Sequence, residues 1–249
     1  MVRANVIEKG PYHRASLSEP GMNIVDLSVA VRHGEGRLGL EVRFETPYSY
    51  DSCGWQGSTF SMFAHYGTHV DAPVHFIRGG ASIETAPLGK LMGPAGLVDL
   101  SDHCRAVAID GDTLESRGAH VRRGDIAVLR TGWSDESWGE DRFWRDGPWL
   151  APDAADWLVE RGVKAVVYDF SEEYVVHLGH HFRGEDCIVH HKILGEEIYN
   201  IEYVHHLGRI ERPRFAIIAL PLKLVGLDGA PARVLAVEDL DLPGEFSIR

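Results

Sequence analysis

The densest run of metal-binding side chain types is His65-Tyr-Gly-Thr-His69-Val-Asp71-Ala-Pro-Val-His75-Phe, with three imidazoles and one carboxylate inside eleven positions. Imidazole plus carboxylate, without thiolate, suits a hard or borderline divalent ion, and zinc, manganese and iron(II) all accept that donor set. An ion with an open position lowers the pKa of water from about 15.7 toward roughly 7 and polarises a carbonyl, so the chemistry within reach is hydrolysis at neutral pH. Histidine pairs are common on surfaces and in satisfied cores, and this chain has 14 histidines. Four ligand-type residues interleaved with Gly, Thr, Ala and Pro are different, because the small residues let backbone and ligands crowd around one point.

Gly67 and Pro73 exclude a continuous helix through this run, so the two-histidines-on-one-face helical arrangement does not apply. The pieces should be extended, with bends. Alternate side chains of an extended piece point the same way, which lets His69 and Asp71 converge with Cα atoms roughly 7 Å apart. A turn at Gly67 must bring His65 round. His75 approaches from beyond Pro73, either as a further ligand or as an acid/base.

The scaffold that must hold this run reads as strand-rich. Short β-branched or aliphatic segments predict strands at Ile24–Leu27, Thr59–Phe63, Gly96–Leu100, Ile126–Thr131, Val163–Tyr168, Phe215–Leu220 and Arg233–Val237. Pro152 and Asp153 open a helix whose Ala155, Leu158 and Val159 share a face and which Gly162 stops. A second helix is expected over Asp186–Glu197, with Ile188, Ile193 and Leu194 at core spacing. Strict βαβ alternation is missing, so the expected fold is a mixed, strand-rich α/β domain in compact layers rather than a doubly wound sheet. No repeat or linker divides the 249 residues, and a single domain over 1–249 is expected. Trp55, Phe60, Phe63, Tyr66 and Trp133 are read first as core aromatics.

Composition removes whole classes of function. Lys and Arg number 25 against 37 Asp and Glu, a formal charge of -12, which repels nucleic acid and anionic membrane surfaces. Cys53, Cys104 and Cys187 are odd in number and far apart, giving no disulfide framework and no C-x-x-C pair, as in a reducing compartment. Charges at Arg3, Glu8 and Lys9 leave no apolar run of signal-peptide length, and Phe215–Leu227 is interrupted by Pro221 and Lys223. A cytoplasmic protein is expected. Dinucleotide, phosphate-loop and serine-elbow motifs are absent.

The string H-x-G-T-H-x-D-x-P-x-H-F resembles the signature of the metal-dependent cyclase superfamily, which includes bacterial kynurenine formamidases and isatin hydrolases. Leu129-Arg-Thr-Gly-Trp133, Leu158–Ala165, Ala219-Leu-Pro-Leu-Lys223 and Asp228-Gly-Ala-Pro231 agree in order, so the similarity spans nearly the whole chain. The resemblance implies a layered β/β/α domain, one or two divalent ions (Zn2+ or Mn2+), and metal ligation by His65, His69 and Asp71, with Asp71 bridging where two ions bind. It implies that His75 donates and accepts the proton. It also implies a late His followed twelve positions on by a Glu, which His190 and Glu202 satisfy. His191 competes for the first place but leaves eleven positions. Members are generally oligomeric, so a homodimer or homotetramer is implied.

Two departures bear on substrate. Kynurenine formamidases present a Trp shortly after a stretch like Asp26-Leu-Ser28, and none follows here. Their Asp-Thr-Pro-Ser stretch is replaced by Asp169-Phe-Ser171-Glu-Glu173. The reading is therefore a metal-dependent hydrolase opening the C–N bond of a small amide, formamide, lactam or imide. An arylformamidase, a biosynthetic cyclase or lyase, and a non-catalytic metal or small-ligand binder stand as alternatives. The histidines at 177, 180, 181, 205 and 206 lack regular ligand spacing and are read as a loop or surface cluster, with His180 or His181 at an entrance.

Overall fold

A computed structural model describes residues 23–178 and 182–240. Its frame is an eight-stranded sheet built from β1 (Asn23–Asp26), β4 (His69–Asp71), β5 (Met92–Asp99), β6 (Ile126–Arg130), β7 (Ala165–Tyr168), β8 (Tyr199–Glu202), β9 (Arg214–Pro221) and β10 (Gly229–Glu238). The order is β1-β10-β9-β5-β6-β7-β8-β4, and β4 also pairs with β10, so all but β1 close into a ring. Parallel pairing runs through β5, β6, β7 and β8; the remaining neighbours are antiparallel. The mixed, strand-rich α/β class expected from the sequence is observed, and the layers are the two sides of this closing sheet.

Alternation along the strands divides the buried residues into two cores. Ala95, Leu97, Ile126, Val128, Ala165, Val167, Ile201, Ile217 and Val70 meet inside the ring, whereas Val98, Ala127, Leu129, Val166 and Tyr168 face outward. Burial on both faces is why β7 reads as an unbroken apolar run. Helices cover the outward side: α1 (Gly111–Arg117), α2 (Pro152–Arg161) and α3 (Ile188–Gly195). Helix α2 begins at Pro152 and ends on Gly162 in the left-handed conformation at φ 70°, as its sequence requires. Helix α3 is shorter than expected, because Gly184–Asp186 forms a separate 3-10 turn before it.

One sequence expectation fails. The strand near Thr59–Phe63 does form, as β3 (Gly57–Ser61), but it pairs only with β2 (Arg43–Tyr48) in a ribbon outside the ring. Trp55 and Phe60 are 50% and 62% exposed there, so these two are not core aromatics, while Tyr66 and Trp133 are buried as expected. Among the described residues no helix is long and apolar enough to cross a membrane.

Candidate metal centre

Strand β4 is three residues long and buried throughout. His69 and Asp71 share its outward face, while Val70 enters the inner core. Across the β8 pairing Glu202 stands opposite His69 and Asn200 opposite Asp71, which brings the Glu202 carboxylate to the same face. The Glu202 strand was absent from the sequence reading, which had placed only a helix nearby. On the other flank, Gly229 of β10 lies opposite Asp71, and a Cβ there would meet His65 Cε1 at 2.7 Å and the Val70 carbonyl at 2.9 Å. Gly67, at φ 74°, makes the turn that returns His65 to the cluster. The one-turn helix Pro73–His75 then swings His75 over it, so that the His75 and His65 rings stack at 3.9 Å.

Two imidazoles have their tautomers fixed from behind. His69 donates its Nδ1–H to the Gly67 carbonyl at 2.9 Å, and His190 donates its Nδ1–H to Glu173 Oε1 at 3.0 Å. The same Glu173 oxygen accepts the His190 backbone N–H at 2.8 Å, one of the first-turn donors of α3 that lack an intrahelical acceptor. Each ring therefore turns an Nε2 lone pair inward. His69 Nε2 lies 3.2 Å from Asp71 Oδ1 and 3.6 Å from Glu202 Oε2. His190 Nε2 lies 3.0 Å from Glu172 Oε1, 3.4 Å from Glu202 Oε1 and 3.5 Å from Asp71 Oδ2.

Lone pairs facing carboxylate oxygens at these separations repel unless something positive lies between them. His69 Nε2, Asp71 Oδ2, Glu172 Oε2 and Glu202 Oε1 are buried without any hydrogen-bond partner. Their residues are at most 2% exposed. Buried polar atoms left unpaired in one place call for a partner other than protein, and this mixed nitrogen and oxygen donor set fits a divalent cation. The triads His65-His69-Asp71 and Glu172-His190-Glu202 each bring one ligand-type atom per residue within 4.8 Å of the others. Asp71 touches both sets.

Charge balance agrees. Burial disfavours an imidazolium at His65, but Asp71 at 2.6 Å and Asp228 at 2.9 Å outweigh it and hold the ring up at about 10. Burial likewise opposes charge on His190, yet the Glu172 carboxylate and its neighbours push that ring well above the usual range. Asp71 is fully buried, which would raise it, but His65, His190 and His69 hold it well below an ordinary carboxylate. Glu172 is pushed up by burial and by the Glu202 charge. Without an ion, protons on the two imidazoles would supply the positive charge that the carboxylates demand; a divalent ion takes over that role and leaves His190 Nε2 free as a donor.

Of the residues singled out in the sequence, His65, His69, Asp71, His75, His190 and Glu202 all meet here. His65 differs from the others in having both ring nitrogens engaged by carboxylates. His75 directs Nδ1 to Asp228 Oδ2 at 3.2 Å, and one of its ring nitrogens lies within 4.8 Å of ligand atoms of Asp71 and His190. His191 turns away and donates to the Gly184 carbonyl. Glu172, Glu173 and Asp228 were missed as participants. The signal was present in two adjacent acids directly after the buried β7 run, and in an acid directly before the Gly229 that the close approach of His65 demands. Phe63 and Phe76 flank the imidazoles, at 5.1 Å from His65 and 4.3 Å from His190, and Tyr203 lies 5.2 Å from His69. His205 and His206 gather with Asp135 in a separate, partly exposed group, and His180 and His181 lie outside the described residues.

The Cyclase family model matches residues 25–172, which hold the second half of β1, β4, the Gly67 turn, His75 and the carboxylates at 71 and 172. The chain belongs to the Cyclase family. Similarity to solved structures covers more of the chain than that segment. A kynurenine formamidase of Salinibacter ruber is 32% identical over 178 residues, covering 70% of this chain and 76% of its own. Among solved structures, an isatin hydrolase A of Ralstonia solanacearum is 25% identical with a TM-score of 0.74, covering 87% of this chain and 92% of its own. A Bacillus stearothermophilus structure described as a predicted metal-dependent hydrolase is 28% identical with a TM-score of 0.69, over 87% of this chain and 98% of its own. The ring of strands and the outward cluster on β4 and β8 are thus this chain's version of a Cyclase-family scaffold.

Proposed function

We propose that this Cyclase-family chain is a metal-dependent hydrolase that opens the C–N bond of a small amide, formamide, lactam or imide. The observation that carries the reading is the set of four buried, unpartnered ligand atoms on His69, Asp71, Glu172 and Glu202, gathered beside His75. His65, His69 and Asp71 would hold one divalent ion, and His190 and Glu202, with Asp71 shared, a second. Zn2+ and Mn2+ both suit these donors. A divalent ion bound there supplies Lewis acidity, which polarises a carbonyl and makes water a nucleophile near neutral pH.

The protein's own groups do the rest. Glu173 and the Gly67 carbonyl fix the two inward-facing rings, so the donors need no reorganisation when an ion enters. Asp228 holds His75 by Nδ1, leaving Nε2 to take a proton during attack and return it to the departing nitrogen. Asp228 is held well below the ordinary carboxylate range by its hydrogen bonds to His65 and His75, so it remains an acceptor while His75 cycles. Phe63, Phe76 and Tyr203 give the centre apolar walls suited to a small, flat substrate. Kynurenine formamidase similarity supports an arylformamide among the candidates.

A homodimer or homotetramer is part of the same reading. A lone two-stranded ribbon is marginal in water, and β2 and β3 expose Phe44, Tyr48 and Phe60 with Trp55 in the connecting turn. The three free cysteines support a reducing, cytoplasmic setting.

The test is to strip the purified protein with chelator, restore Zn2+ or Mn2+, and screen formamides, lactams and imides by product mass. Ion-dependent products heavier by one water are expected. Undiminished turnover in metal-free protein overturns the reading, and products of unchanged mass point instead to a cyclase.

A further inference from the structure

The loop leaving β7 carries two adjacent glutamates with divided duties. Asp169 pins the start of that loop, its carboxylate accepting the Thr131 N–H and hydroxyl at 2.9 and 2.7 Å and the Gly132 N–H at 2.6 Å. The Glu172 carbonyl accepts the Leu150 N–H at 2.9 Å, and the Glu173 carboxylate clamps the start of α3. With the backbone tied on both sides, the Glu172 side chain has one place to go. It points beneath α3 at 1% exposure, with Oε1 3.0 Å from His190 Nε2 and Oε2 without a partner.

A surface acid or a helix cap would not be buried in this way. Glu173 already satisfies the α3 N–H and the outer nitrogen of His190, so Glu172 is not needed to orient the ring. What remains opposite Glu172 is the inward nitrogen of His190 and the carboxylate of Glu202, and His190 in turn faces Asp71 Oδ2 at 3.5 Å. A buried acid set against a second acid calls for positive charge between them, and a divalent cation supplies it while taking the unpartnered Oε2 as a donor.

We propose that Glu172 is a direct metal ligand, which makes the His190 half of the centre a site of three carboxylates and one imidazole. This rests on reading the cluster as a metal centre. Oxygen-rich sets favour Mn2+ relative to a purely imidazole set, while the half built on His65, His69 and Asp71 is the nitrogen-rich one. The two halves are therefore chemically unequal.

The test uses full-length wild type, Glu172→Gln and Glu172→Asp, each stripped of metal and titrated separately with Mn2+ and Zn2+. Heat of binding, bound metal per chain and the Mn2+ electron paramagnetic resonance spectrum are the readouts. Glu172→Gln should weaken one binding event by at least about tenfold, because even outer partners of a metal site contribute 10–100-fold. The loss should be larger for Mn2+ than for Zn2+, the Mn2+ spectrum should change, and Glu172→Asp should fall between. The metal-free variants should melt no lower than metal-free wild type, which separates loss of a ligand from loss of fold. Should Glu172→Gln fold poorly, the aspartate variant carries the comparison, and unweakened binding in it overturns the assignment. Wild-type affinity, stoichiometry and spectrum in both variants overturn the role of Glu172 and leave the metal centre standing. Wild type that binds neither ion overturns both.

Discussion

Asp71→Asn separates a metal centre from a merely salt-bridged cluster. The Asp71 carboxylate faces His65 and His69 with Oδ1, at 2.6 and 3.2 Å, and His190 with Oδ2, at 3.5 Å. An amide keeps the shape but offers one oxygen, so it can serve only one half of the centre. Replacing an outer partner of a metal ligand costs 10–100-fold in affinity, and about a hundredfold is therefore a modest expectation for a shared ligand. At an ion concentration of about 1,000 times the wild-type Kd, binding stabilises the fold by about 4.1 kcal/mol, and after a hundredfold loss by about 1.4 kcal/mol. For a chain of this size each kcal/mol moves the midpoint by roughly 2–4 °C, so the ion-induced rise should shrink from about 8–16 °C to about 3–6 °C. Thermal melts with chelator and with graded Zn2+ or Mn2+, each variant referred to its own metal-free form, measure this. An equal rise in both proteins, or no rise in wild type at saturating ion, refutes the reasoning.

Other expectations follow from individual contacts. His75→Ala should lower turnover by about 10²–10⁴-fold with bound metal unchanged, since general acid–base catalysis contributes that much; metal analysis beside kinetics checks it, and lost metal would make His75 a ligand instead. Glu238 is buried, which would raise its pKa, but it accepts hydrogen bonds from Arg212 N and Glu211 N, both at 2.7 Å, and from Asn23 Nδ2 at 2.6 Å, and lies below its ordinary 4.5. Its stabilisation is thus present above about 4.5 and lost as pH falls through the lower folded value, so Glu238→Gln should flatten the fall in melting temperature below pH about 4.5; an unchanged acid slope contradicts this. Trp55→Glu or Phe60→Glu on the exposed ribbon should reduce the mass seen by light scattering to that of a single chain while secondary structure persists, and an unchanged assembly would remove the ribbon from the interface.

The parts of the fold that were legible in the sequence are those with local causes. Pro152 and Gly162 bound α2 because φ restriction and left-handed tolerance act on single residues. The strands at Ile126–Arg130 and Ala165–Tyr168 show as apolar runs because both of their faces are covered. The cluster from His65 to His75 was legible for a related reason: alternation along three extended residues and one glycine turn suffices to gather it. Residues 199–202 hid their strand, since Tyr-Asn-Ile-Glu has two polar side chains on its outward face and pairs with partners at 69–71 and 165–167. Closure of the ring through β4 and β10 is a long-range pairing that no local pattern encodes. Glu172 and Glu173 read as one acidic step because their separate duties depend on where α3 docks, and Trp55 and Phe60 looked like core because hydrophobicity alone does not say which strand lies outside the sheet.

Anomalous X-ray scattering from crystals grown with Zn2+ or Mn2+, recorded above and below the absorption edge of the metal, tests the metal centre most directly. The expected result is a peak beside His69 Nε2 and Asp71 and, where a second ion binds, another beside His190 Nε2, Glu172 and Glu202, at the roughly 2.0–2.2 Å from its donors that zinc takes. Full ion supply with no peak there, or with a peak only beside Asp135, His205 and His206, contradicts it.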